Sequence, residues 1–328
     1  GDAVSIGRLL AWAYPDRIGR RRPGVRGKFL LINGRGAYLD PAAPLADEEF
    51  IVAVELDGER REARIFRAAI YSMDILSEQF AEQLRWTEAV DWDSDRLAVA
   101  ARRDLKLGAL TLRSEPLAAP DSQKVLKALL RGIRKQGLQC LPWTKSLKRW
   151  QERVCFLRRV SGDEQLWPDV SDEGLESHLM QWLAPYLTAM TRLRDLARVE
   201  LKAALFRLLP HRQHQLLDEL APTHLVVPSG SRIPIDYSGD VPVLAVRLQE
   251  MFGLAQTPSV AGGRQPLLIH LLSPAGRPVQ ITLDLAGFWQ SGYHEVKREM
   301  KGRYPKHYWP DDPLQAQATA RVRPKGKK

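Results

Sequence analysis

Phe29-Leu30-Leu31-Ile32-Asn33-Gly34 and Phe50-Ile51-Val52-Ala53-Val54-Glu55-Leu56 decide how this 328-residue chain begins to fold. Each is a short apolar run rich in aromatic and branched side chains. Each is closed by a turn dipeptide, Asn33-Gly34 after the first and Asp57-Gly58 after the second, which is the signature of a strand and its reversal. Working outward, residues 62–69, 97–101 and 109–113 add further strand-like runs, with Asp93-Ser94-Asp95 as another turn. Between the third and fourth runs, residues 75–86 have helical spacing, with Ile75, Leu76, Phe80 and Leu84 on one side. Three strands, a helix and then two or more strands predict a small closed sheet of the OB type, although clean apolar–polar alternation is scarce in these runs.

On the N-terminal side, residues 4–14 read as an amphipathic helix entered in mid-course, with Leu9, Leu10, Trp12 and Ala13 on its apolar side and no initiator Met. The chain therefore reads as a piece of a longer protein. On the C-terminal side, Pro116, Pro120 and the helix-start pair Asp121-Ser122 mark a boundary. Beyond it, residues 123–135, 147–159, 175–187 and 192–209 repeat apolar side chains at three and four, the last most cleanly. Trp143, Trp150, Trp167 and Trp182 fall here, as anchors between helices or as base-stacking platforms. Strand signals return at 225–227, 233–237, 267–272 and 279–283, with Pro274-Ala275-Gly276 as a hairpin turn. Residues 243–252 and 288–300 read as helices ended by Gly253 and Gly302. Beyond Pro310 the polar, basic composition predicts disorder. The expected fold is α+β, a small OB-like β-barrel followed by a mixed helical and β C-terminal domain. The expected division is a helical end at 1–22, the barrel at 23–118, the C-terminal domain at 119–312 and a disordered basic tail at 313–328.

The composition, 44% hydrophobic and 27% charged, is that of a globular protein. No apolar run is long enough to span a bilayer and no secretory signal opens the chain, so a cytoplasmic protein without membrane insertion is expected. Cys140 and Cys155 are too few for a disulfide framework or a Cys-rich metal site; two reduced thiols are expected, with a single bridge as the alternative. The net charge of +10 is uneven. Residues 8–28 carry a net +6 and residues 297–328 a net +7, which leaves the rest of the chain at −3. Concentrated cations of this kind favour a polyanion, so Arg20, Arg21, Arg22, Arg26 and Lys28, with Lys297, Arg298, Lys301, Arg303 and Lys306, are the candidate nucleic-acid contacts. The bland reading is a solvated linker and a frayed tail. Arg20–Arg22 rank first, because the Pro23-Gly24 break should leave them exposed. Cations at the end of the later helix also relieve its dipole.

Catalytic chemistry is not legible. A nucleoside triphosphatase needs a glycine-rich phosphate cradle with a Lys and a hydroxyl, and the Gly-x-x-x-x-Gly-Lys-Ser/Thr spacing is absent: Gly24-Val25-Arg26-Gly27-Lys28 is followed by Phe29. No His-Glu-x-x-His or Gly-x-Ser-x-Gly pattern occurs. His211 and His214 stand three apart, as metal ligands or within a solvated segment, the latter expected. Asp236 and Asp284 read as a carboxylate pair or, as expected, as hydrogen-bonded structural residues. No catalytic residue and no metal site is assigned.

The residues do resemble a family. Leu9-Leu10-Ala11-Trp12-Ala13-Tyr14-Pro15-Asp16-Arg17-Ile18 resembles the segment of DEAH/RHA-type RNA helicases where the helical ratchet domain ends. Phe29-Leu30-Leu31-Ile32-Asn33-Gly34-Arg35-Gly36-Ala37 resembles the next segment in their bacterial HrpB branch. The closing third is the most specific, in Pro228-Ser229-Gly230-Ser231, Ile235-Asp236-Tyr237 and Val243-Leu244-Ala245-Val246-Arg247-Leu248-Gln249-Glu250-Met251-Phe252-Gly253. It continues in Leu271-Leu272-Ser273-Pro274-Ala275-Gly276-Arg277-Pro278-Val279-Gln280, Asp284-Leu285-Ala286-Gly287-Phe288-Trp289, Met300-Lys301-Gly302-Arg303-Tyr304-Pro305-Lys306-His307 and Trp309-Pro310-Asp311-Asp312-Pro313. The resemblance implies the C-terminal portion of a cytoplasmic ATP-dependent RNA helicase whose motor domains precede Gly1. It implies no cofactor here, ATP and Mg belonging to those motor domains. The implied partners are single-stranded RNA or DNA, the helicase's own motor domains, and a protein partner of the C-terminal domain. The rival is a protein-interaction scaffold that touches no RNA. OB barrels hold single strands by a basic groove and aromatic stacking. Phe29, Tyr38, Phe50, Phe66 and Tyr71 are the aromatics in or near the barrel, most of them expected in the core.

Overall fold

The computed structural model describes residues 2–57 and 62–324. Gly58 of the Asp57-Gly58 turn and Lys325, Lys327 and Lys328 of the basic tail lie outside the described residues. The chain forms two compact units. The first takes residues up to Gly132 together with Thr191–Leu193, and the second takes Ile133–Met190 and the chain from Arg194.

The first unit opens with α1 (Asp2–Ala13) and a single turn at Pro15–Arg17. Then come β1 (Ile18–Arg21), β2 (Lys28–Leu31), β3 (Gly36–Tyr38), β4 (Phe50–Leu56) and β5 (Glu62–Tyr71). They form a closed barrel in the order β1-β2-β3-β5-β4, with β4 pairing back onto β1. β3–β5 is parallel and the other pairings are antiparallel. The scarcity of alternation has a physical cause. Ile51 and Ala53 of β4 join Phe29, Leu31, Ala37, Ala63 and Ile65 in one apolar cluster. Phe50 and Val52, on the opposite face of the same strand, join Ala11, Ile18, Tyr71, Leu76, Leu107 and Leu110 in another. A strand buried on both faces reads as a continuous apolar run. Each large side chain so buried contributes about 1.5–3 kcal/mol.

The barrel's strands differ from those expected. β1 and β3 were not anticipated: the first reads as polar through Arg20 and Arg21, and the second is a short Gly-Ala-Tyr. The helix comes after the fifth strand, as α2 (Met73–Gln79), capped by the Ser72 hydroxyl accepting from the Ile75 amide. It does not reach Trp86, because β6 (Arg85–Asp93) begins there and pairs Trp86 with Leu105. Runs 97–101 and 109–113 belong to β7 (Ala98–Leu107) and β8 (Leu110–Pro116). With β6 these form a separate three-stranded antiparallel sheet. Ala98 bridges Arg192, and backbone hydrogen bonds from Val99 N to Thr191 O and from Leu193 N to Leu97 O lay this stretch along the start of β7.

The second unit takes over within α3 (Ser122–Gln136). It contains α4 (Lys145–Ser161), α5 (Asp172–Ser177), α6 (Leu179–Trp182), α7 (Leu201–Phe206) and α8 (His211–Leu220). Its sheet joins β9 (His224–Val226), β10 (Arg232–Asp236) and β11 (Val243–Arg247) to β14 (Leu268–Leu272) and β15 (Pro278–Thr282), in the order β15-β14-β11-β10-β9. β12 (Ser259–Val260) and β13 (Gln265–Pro266) form a small hairpin. α9 (Leu285–Gly287) runs through a π-helical turn at Phe288–Gly292 into α10 (Tyr293–Arg303). Among the described residues no helix is long and apolar enough to cross a membrane. Cys140 and Cys155 are separate free thiols.

Three expectations fail here. The continuous helix at 192–209 breaks into a 3-10 stretch (Leu193–Arg198) and α7, because Leu193 is held by its amide to the Leu97 carbonyl at the edge of the first unit. Residues 243–252 begin as strand β11: Leu244 and Val246 alternate into the core while the strand pairs with β14 in parallel. The chain beyond Pro310 is ordered through residue 324. Gly253 donates to Pro313 O (2.9 Å), Thr319 donates to Gln249 O (3.0 Å), and Tyr308 donates to Val322 O (3.0 Å).

Candidate nucleic-acid interface

The first basic cluster lies on the barrel. Arg20 stands in β1 opposite Leu30 and Phe50. Its guanidinium donates to Glu49 Oε1 (3.0 Å) and to the Thr111 carbonyl, and rests 5.6 Å from the Phe50 ring centroid. Arg21 is half-buried, and its Nε is enclosed without a hydrogen-bond partner among the described residues. These two are strand residues rather than an exposed linker; the Pro23-Gly24 break makes the β1–β2 turn. Arg22, Arg26 and Lys28 surround that turn in exposed ion pairs. Arg22 is 3.5 Å and Lys28 3.4 Å from the two oxygens of Glu62, and Arg26 is 2.8 Å from Asp47.

The second cluster lies on α10 and the segment after it. Lys297 is mostly buried and pairs with Asp311, whose carboxyl this contact holds below its usual range. Arg303 pairs with Glu299 at 3.1 Å. Arg298, Lys301 and Lys306 are exposed, and none forms an ion pair among the described residues.

Sequence reasoning missed a third basic surface. At the start of α4 a groove of 770 Å³ is lined by Trp143, Lys145, Lys148 and Arg149 and, from the sheet, by Pro234, Asp236, Ala245 and His270. Trp150, Trp167 and Trp182 are buried, whereas Trp143 is only half-buried. Its indole N–H donates to Leu138 O (2.9 Å), and Lys148 Nζ lies 4.0 Å from the ring centroid. Burial, reinforced by Asp236, raises the Glu152 carboxyl, and the Ser238 hydroxyl lowers that of Asp236. The interleaved aromatic and basic residues of Trp143-Thr144-Lys145-Ser146-Leu147-Lys148-Arg149 were the signal available to find it.

The remaining candidates are structural. His214 Nε2 donates to Phe206 O (2.9 Å) and its ring stacks on Trp150, on a helix whose first residues, His211 and Arg212, are exposed. Asp284 caps α9 by accepting from the Gly287 amide (2.9 Å), and Asp236 accepts from the Ser238 amide (2.9 Å). Among the described residues no group of three or more His, Cys, Asp or Glu side chains is placed to hold a metal.

Known proteins share this architecture. The family described as ATP-dependent helicase C-terminal matches residues 182–313, and that of the ATP-dependent RNA helicase HrpB connector region matches residues 83–117. The chain is 43% identical over 326 residues to the ATP-dependent RNA helicase HrpB of Escherichia coli (strain K12), covering 98% of this chain and 40% of that protein. The crystal structure of the E. coli DExH-box NTPase HrpB superposes with a TM-score of 0.60 at 43% identity, over 96% of this chain and 39% of that one. A second structure, of the Escherichia coli DEAH/RHA helicase HrpB, gives 0.52 at 40% identity, over 93% and 38%. This chain thus spans about 40% of the length of its curated relative. With connector and C-terminal regions both matched in order, the chain belongs to the HrpB family and corresponds to the C-terminal part of its members.

Proposed function

We propose that this chain is the accessory C-terminal region of an ATP-dependent RNA helicase, contributing single-stranded nucleic-acid binding and regulation of the motor. The observation that carries the binding is the ring of cations about the β1–β2 turn, on a closed five-stranded barrel of the kind that OB-folds use for single strands. Among the described residues, Arg22, Arg26 and Lys28 form their ion pairs with exposed carboxylates. Such pairs are worth about 0–1 kcal/mol, so a phosphate exchanges for the carboxylate at little loss. Arg20 is tied down by its three contacts and acts as a strut behind them. ATP and magnesium belong to the motor portion of the family, which is also the partner for the exposed α1 stripe of Ile6, Leu9 and Trp12. The setting is the cytoplasm.

Fluorescence anisotropy with labelled single-stranded RNA and DNA over a salt series tests the reading. Counterion release requires affinity to fall steeply with salt. Arg22→Gln, Arg26→Gln and Lys28→Gln should each flatten the log–log slope by about 0.7, whatever the base sequence. Little binding at any salt favours the scaffold reading, in which the C-terminal domain docks a protein partner and the cations only solubilise the chain.

A further inference from the structure

We propose that the groove between the start of α4 and the outer face of the five-stranded sheet is a second single-stranded RNA site, where a base stacks on Trp143 and adjoining phosphates meet Lys145 and Arg149. This rests on the nucleic-acid reading above but places a contact in the second unit, on residues other than those of the barrel cluster. The sheet's inner face is core, through Ile235, Leu244, Val246, Ile269 and Leu271. Its outer face brings the small side chains of Pro234 and Ala245 to the groove, a floor with room for a planar ring.

Three features make the site specific for a nucleotide chain. First, Trp143 is a prepared platform: its N–H is committed to Leu138 O, and the Lys148 ammonium already sits against the ring. An indole fixed in this way loses little freedom when a base stacks on it. Second, Lys145 and Arg149 lie one turn apart on an exposed stretch of α4, and neither is in an ion pair among the described residues. They stand about 6 Å apart along the helix axis, which suits successive phosphates of an extended strand. Third, the groove is polarised. Lys145, Lys148 and Arg149 occupy the start of α4, while Glu152 farther along the same helix and Asp236 of β10 supply carboxylate oxygens that repel phosphate yet accept from base amino groups or a ribose 2′-hydroxyl. A free phosphate would use only the first of these ends; a nucleotide uses both.

The test uses the full chain with labelled oligoadenylate and, in parallel, 4-thiouridine-substituted RNA for photocrosslinking and peptide mapping. Crosslinks are expected within residues 142–149 as well as on the barrel. Trp143→Leu, which keeps apolar bulk but loses the π-face, should weaken binding about fivefold or more with an unchanged salt slope, and Trp143→Phe should restore most of it. Lys145→Gln with Arg149→Gln, both on the surface, leaves folding intact and should flatten the slope by about 1.4. If RNA binds, crosslinks to the barrel alone and ignores all these variants, the groove proposal falls while the barrel reading stands. If the unaltered chain binds no RNA at any salt, the underlying reading falls with it. If polyglutamate binds through Lys145 and Arg149 and RNA does not, the groove is a protein-docking site and the proposal is overturned.

Discussion

Arg20 shows how one side chain can look like a ligand contact and be a strut. It donates to Glu49 and the Thr111 carbonyl and lies over Phe50, tying β1 to β4 and to β8. Arg20→Gln is therefore expected to lower stability by about 1–2 kcal/mol, measured by urea unfolding, while changing the RNA salt slope little. Asp104 is a second such residue. It is buried in the three-stranded sheet, accepts from Ser114 Oγ (2.6 Å) and Arg102 Nε (3.3 Å), and its carboxyl is held below the usual range, first by the Ser114 hydroxyl. A depressed carboxylate stabilises the folded state above its unfolded-state pKa, and that contribution disappears as pH falls through the folded value. Melting curves below about pH 4 should accordingly fall less steeply for Asp104→Asn than for the unaltered chain, although the variant starts from lower stability at neutral pH. The partners of the barrel's cations, Glu49, Asp47 and Glu62, lie far from them in sequence. Composition could therefore find Arg20–Lys28 but not say which of them were already occupied.

Between elements, two contacts decide the packing. Gly132 sits within α3, where glycine ordinarily costs about 1 kcal/mol relative to alanine. A Cβ there would come within 2.3 Å of the Trp92 indole on β6, so the glycine is what lets helix meet strand. Gly132→Ala should destabilise the chain in thermal melts, the opposite of its helix propensity. In the second unit Arg153 of α4 is buried and donates to the Leu217 and Ala221 carbonyls and to Asp218, closing the C-terminal end of α8. Arg153→Met should cost about 2–4 kcal/mol in urea unfolding, with the helix end left uncapped. Elements with one dominant signal were legible: β2, β4, α4 and the β14–β15 hairpin. β11 was not, because Val243, Leu244, Val246 and Leu248 fit both a helical and an alternating pattern until parallel pairing with β14 is known. β1 was hidden by its arginines, and β3 by having only three residues.

At the scale of the whole molecule, the basic charge is spread over three surfaces rather than the two visible in sequence, since Lys145, Lys148 and Arg149 come together with His270 only when α4 lies along the sheet. Replacing Arg298, Lys301 and Lys306 by Gln should leave stability within about 0.5 kcal/mol. Should they meet RNA, the salt slope drops by about 0.7 for each; an unchanged slope makes them solubilising charge. The α+β class and the presence of a barrel were legible because apolar runs and turn residues are local. The threading was not, because nothing local says that Thr191–Leu193 returns to the first unit, where Arg192 bridges Ala98. That return sets a clock. On a translating ribosome the first unit cannot finish until residues 133–190 have been made, a delay of about 3–12 s at ordinary elongation rates. Until then the Leu97–Val99 edge waits with its backbone groups unpaired, open to a chaperone or to a neighbouring nascent chain.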